Sequence, residues 1–69
     1  MHDIFTYHIE VHAELDEQTF NAASPLQVSV EWTNATATRF TVYADQSGLI
    51  GLLRHLHRQG FVILAVLRE

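Results

Sequence analysis

Cysteine is absent from this chain, and so is lysine. Without thiols there can be no disulfide and no thiolate metal site. Without lysine there is neither Schiff-base chemistry nor a phosphate-binding P-loop, whose glycine motif is missing as well. The four arginines face eight acidic residues, for a formal net charge of -4. Nucleic-acid backbones and anionic membrane surfaces would therefore be repelled, and neither is expected as a partner. Long apolar runs are missing too: the longest, Phe61 to Leu67, is far below the roughly 20 residues that span a bilayer. No positively charged start leads into an apolar run, so the expected location is the cytoplasm. No GxSxG elbow, HExxH pair, Rossmann glycine run or EF-hand loop occurs. Ser24, Ser29 and Ser47 have no identifiable base and orienting acid. No catalytic residue and no cofactor are expected, and the reading leans away from an enzyme.

What is present is nearly half hydrophobic, at 48%, which makes a folding chain and not a disordered one. Its 69 residues form one domain. A domain this small buries only about 60% of its unfolded surface. Below about 70 to 80 residues a core rarely supplies more than ~3 to 5 kcal/mol without a disulfide, a metal or self-association.

The clearest stretch is the last third. Asp45 is placed to cap a helix over 46–59, with its carboxylate at the positive end of the helix dipole. At about 100° per residue, Leu49, Leu52, Leu53 and Leu56 fall on one face, and Arg54, His55, Arg58 and Gln59 on the other. His57 falls at the border of the apolar face, where a structural histidine is expected, and His55 in solvent. Gly60 marks the stop. Gly48 and Gly51 are unusual inside such a helix, since each costs about 1 kcal/mol against alanine. Either the helix packs closely across an interface, with Gly51 outward, or Gly48 lies in a loose first turn and Gly51 is merely tolerated. The following run, Phe61 to Leu67, reads as a buried strand.

Upstream, Ile4 to Leu15 alternates, with Phe5, Tyr7, Ile9, Val11, Ala13 and Leu15 on one side and Thr6, His8, Glu10, His12 and Glu14 on the other. Residues 16–25 read as a loop or one to two helical turns, with Asp16 as cap, Phe20 as anchor and Pro25 as stop. Leu26 to Thr33 is a second strand with Leu26, Val28, Val30 and Trp32 inward. A tight turn at Asn34 and Ala35 leads into a third, with Phe40 and Val42 inward and Arg39, Thr41 and Tyr43 outward. Asn34, Ala35 and Thr36 spell a glycosylation acceptor, but the turn reading is preferred.

This order predicts an α+β domain of the split β-(α)-β-β-α-β, ferredoxin-like plan, with a reduced first helix and an antiparallel sheet covered on one face by helix 46–59. In that plan the last strand is an edge beside the first. Its strict alternation would set Phe61, Ile63, Ala65 and Leu67 on one face and Val62, Leu64 and Val66 on the other, so a single helix layer would leave one row bare. A homodimer is expected, with Val62, Leu64, Val66 and Gly51 at the interface. Two candidate sites lie on the wet sheet face. His8, Glu10 and His12 are potential metal ligands, although neighbours in the row are ~6.7 Å apart and the two histidines ~13 Å apart. His8, His12, Arg39 and Tyr43 form a polar, partly aromatic patch suited to a small anion or another chain.

The capped helix and strand, with Asp45, Gln46, Gly51, Leu52, Leu53, Gly60 and the run from Phe61, resemble the ends of small stand-alone bacterial proteins without an assigned activity. The resemblance implies a fold and an acidic helix cap, and no catalytic residue. Members carry a tryptophan-containing segment after the first strand, where this chain has Gln18 to Ala23. The function expected is a small homodimeric interaction or assembly module. The alternative is a dimer that binds a small ligand or metal on its outer sheet face.

Overall fold

The computed structural model describes residues 3–69. Six elements follow in order: β1 (Phe5–Val11), α1 (Glu17–Ala23), β2 (Ser29–Thr33), β3 (Thr38–Ala44), α2 (Gln46–Arg58) and β4 (Ile63–Arg68). The protein is α+β, with one four-stranded sheet in the order β2-β3-β1-β4 and every neighbouring pair antiparallel.

Local chemistry sets the element ends. The Asp45 carboxylate accepts the Gly48 amide at 2.7 Å and opens α2. At the other end Gly60, with φ +86°, turns the chain so that its amide reaches the His57 carbonyl and the Phe61 amide reaches Leu56. That pair of bonds is the Schellman arrangement, and it satisfies carbonyls the helix would otherwise leave open. Asp16 caps α1 through the amide and hydroxyl of Thr19, and these bonds hold its carboxyl below the ordinary carboxylate value. Asn34 accepts from the amides of Thr36 and Ala37 and from the Thr36 hydroxyl, which fixes the β2–β3 turn.

Both helices lie on the sheet face that carries Tyr7, Ile9, Val11, Phe40 and Val42. Leu52 and Leu56 of α2 are fully buried there, and Phe20 of α1 stacks near Phe40 and Phe61. Phe20 also meets the ring of His55 edge-on at 5.9 Å. The two helix histidines therefore exchange their expected roles: His55 is half-buried against an aromatic, and His57 is exposed.

Irregular pairing changes two further expectations. The register slips between Val30 and Trp32, so that Trp32 lies opposite Arg39. Residues opposite one another share a face, and Trp32 therefore stands on the outer face with Arg39 and not in the core. A second slip, opposite Glu10 and Val11, pairs Ile63 with Val11 and Val66 with Ile9. Ile63 and Val66 thus both face the helices while Ala65 and Leu67 face out, and the two unbroken rows expected on β4 do not form. The first strand ends at Val11 rather than Leu15. Thr38, fully buried, ties down the turn that follows: its hydroxyl donates to the Ala13 carbonyl and accepts the Leu15 amide. Among the described residues no helix is long and apolar enough to cross a membrane.

Candidate functional site

The outer sheet face has no helix over it, and its polar residues bond to one another across the strands. The register sets His8 opposite Thr41 and Glu10 opposite Arg39. Glu31 of β2 reaches over β3 to join them. Its Oε2 lies 2.6 Å from His8 Nδ1 and accepts the Thr41 hydroxyl at 2.8 Å. On the other side of the ring, His8 Nε2 meets Glu69 at 3.2 Å, just past the end of β4. Arg39 donates to Glu10 at 3.4 Å. Its buried Nε lies 3.4 Å from Glu31 Oε2 but is out of line for a hydrogen bond. Three side chains from β1 and β3, His8, Thr41 and Arg39, thus surround the Glu31 carboxylate, with Glu10 beyond Arg39 and Glu69 at the rim.

The bond to Glu31 raises the His8 pKa above its ordinary 6.5. Glu69 adds to this, and partial desolvation and the Arg39 charge oppose it. The Glu31 carboxyl is held below its ordinary 4.5, first by His8 and then by Thr41. The two shifts have one cause, since each group favours the charged form of the other.

A hydroxyl, an imidazole and a carboxylate in sequence, Thr41, His8 and Glu69, have the outline of a nucleophile with its base and orienting acid. The hydrogen bonds do not fit that role, because the Thr41 hydroxyl gives its proton to Glu31 at 2.8 Å. A base must offer a lone pair to the hydroxyl, whereas the ring nitrogen facing Thr41 is held more closely by Glu31, and the other nitrogen faces Glu69. The concave features lie elsewhere, on the helix side. One of about 400 Å³ is lined by Ile50, Leu53, Arg54, His57 and Arg58 of α2, and one of about 290 Å³ runs past Leu15, Thr19, Phe20 and Phe61.

The expected metal trio does not assemble. His8 turns to Glu31 and Glu69, Glu10 turns to Arg39, and His12 lies exposed beyond the end of β1. Among the described residues no group of three or more potential ligands could hold a metal ion. Of the expected patch, His8 and Arg39 are brought together through Glu31. Tyr43 stands exposed on the same face opposite Thr6, and His12 is apart from both. Glu31, Thr41, Glu69 and Trp32 complete the face and were not singled out in the sequence. The outward phase of Glu31 was legible, but its partners depend on which strands are neighbours.

The residues assigned to an interface divide as well. Val62, Leu64 and Val66 are 58%, 52% and 38% exposed, and Leu67 of the same strand is 51% exposed. Gly51 does not join them. It borders a groove of about 380 Å³ with Ala23, Ser24 and Pro25 at the end of α1, and no β4 residue contributes to that wall.

No known protein family, curated protein or solved structure matches this chain.

Proposed function

We propose that this chain is a ferredoxin-like, homodimeric assembly module of the cytoplasm, acting without catalysis and offering its sheet face or edge to protein partners. The ferredoxin-like reading is supported by the strand order with β1 and β3 central, and by two helices that share one face. The observation that carries self-association is the exposure of aliphatic side chains on both faces of one sheet edge, Leu64, Val66 and Leu67 of β4 and Val62 just before it. Edge strands that work alone are usually short, charged or covered, and this one exposes apolar side chains along its length. The outer face suits a ligand less well, because an incoming anion would have to displace Glu10 and Glu31 from Arg39.

Native mass spectrometry of the purified protein tests this reading. The expected spectrum is a dimer without added mass, which Leu64→Glu and Val62→Glu convert to monomer while far-UV circular dichroism stays unchanged. A wild-type monomer at all accessible concentrations would overturn it, and retained zinc or a small molecule would point to the outer face instead.

A further inference from the structure

The two edges of the sheet are treated differently by the fold. At β2 the backbone beside the edge is closed off by α1. The Asn21 side chain accepts the Val28 amide at 2.8 Å and donates to the Val28 carbonyl at 2.9 Å, and Glu17 accepts the Val30 amide at 2.8 Å. The slip before Trp32 and the charge of Glu31 blunt it further. At β4, among the described residues, no side chain bonds to the outward backbone.

Which β4 groups face outward follows from one bond. The Glu69 amide donates to the Thr6 carbonyl at 2.9 Å, and amide direction alternates along a strand. Ala65, Leu67 and Glu69 therefore spend their backbone groups on β1. Val66 and Arg68 turn theirs away from the sheet, each with a donor and an acceptor, up to the irregularity at Leu64. Such an edge is its own complement under a two-fold rotation.

We infer that a second copy pairs with this edge through the backbone, β4 against β4 antiparallel, with the two-fold axis at Val66. The inference rests on the dimeric reading and specifies its geometry: the two sheets join into one continuous sheet. Opposed residues must share a face, so one residue must lie opposite its own copy. An axis at Ala65 would set Val62 opposite Arg68, yet the Val62 carbonyl is already taken by the His12 amide at 2.9 Å. An axis at Leu67 would set Arg68 diagonally beside its own copy, with like charges in reach. An axis at Val66 sets Val66 against its own copy through outward donor and acceptor, with the outward groups of Arg68 turned toward the partner on both sides, and keeps the two arginines about 13 Å apart along the strands. Ala65 then meets Leu67 on the outer face. The charges suit it as well. The chain is acidic overall, but Arg68 and Glu69 balance at this edge, so two copies meet where neither is acidic.

The chain has no cysteine, so a single introduced thiol reports on its own copy. In the paired register two Val66 Cα atoms lie about 5.5 Å apart, inside the range a disulfide bridges. Under mild oxidation Val66→Cys should give a covalent dimer, whereas Leu64→Cys and the outer-face control Tyr43→Cys should not. Val66→Pro removes an outward amide without touching the β1 ladder. It should stay folded by circular dichroism and raise the dimer dissociation constant at least about tenfold. If the wild type is monomeric, the assembly reading fails and the inference with it. If the wild type is dimeric but Val66→Cys does not cross-link, the edge geometry fails while assembly stands. Should Val66→Pro unfold, the cross-link decides alone.

Discussion

His8 and Glu31 meet at 2.6 Å on the outer face, and their opposite shifts set a pH window. His8 is raised in the folded state, so its contribution is complete below its unfolded value of about 6.5 and is lost as pH rises through the folded one. Glu31 is lowered, so its contribution is complete above about 4.5 and is lost as pH falls through the folded value. Stability from this pair is therefore greatest between those limits. The unfolding free energy of the wild type, measured by urea titration, should fall as pH rises above about 6.5. His8→Gln should flatten that alkaline limb, and an unaltered slope in the variant would assign the fall to other groups. The contribution is modest because water reaches both side chains. His8, Glu10 and Arg39 were legible in the sequence as outward residues, and Thr41 and Tyr43 likewise. That His8 would be held by Glu31 was not, since 23 residues separate them and β3 lies between.

In α2 the two glycines have different reasons to be there. A Cβ at Gly48 would stand 3.2 Å from the Asp45 carboxylate oxygen and 3.3 Å from Ala44 Cβ, whereas one at Gly51 would meet nothing within 4 Å. Gly48 makes room for the carboxylate that caps the helix. Gly51 is a helix residue with no packing demand inside the single copy. Gly51→Ala should stabilise the protein by about 1 kcal/mol through helix propensity. Gly48→Ala should give a smaller gain or a loss, because the cap must shift. Urea titration of both variants checks the order, and a change of mass in the Gly51 variant would return that residue to an interface. The capping and stop signals of α2 were readable because they act within a few residues of chain. The helical turns of α1 were less so, since Asp16 and Phe20 are the only strong signals in that segment.

Across the whole molecule, a small core and one unprotected edge point the same way. A 69-residue chain without disulfides has little reserve in its core. A partner that binds only the folded state adds stability by mass action. The thermal midpoint should therefore rise with protein concentration, by several degrees over a hundredfold range if dimerisation contributes a few kcal/mol. Differential scanning calorimetry at two concentrations reads this directly. A midpoint independent of concentration would mean that the folded monomer stands by itself and that β4 is not completed by a second copy.

By itself the sequence determined what depends on neighbours along the chain: the Asp45 cap, the Gly60 stop, the Asn34 turn and the inward row of Tyr7, Ile9, Val11, Phe40 and Val42. Alternation and capping are local, and nothing in the assembled sheet reversed them there. Only the tertiary structure decided where Trp32 and the β4 side chains point, and which carboxylate His8 meets. A side chain's face follows the register between strands, and one extra residue in a ladder reverses it for everything beyond. That slip is set by the pairing partner and leaves no trace in the strand that carries it.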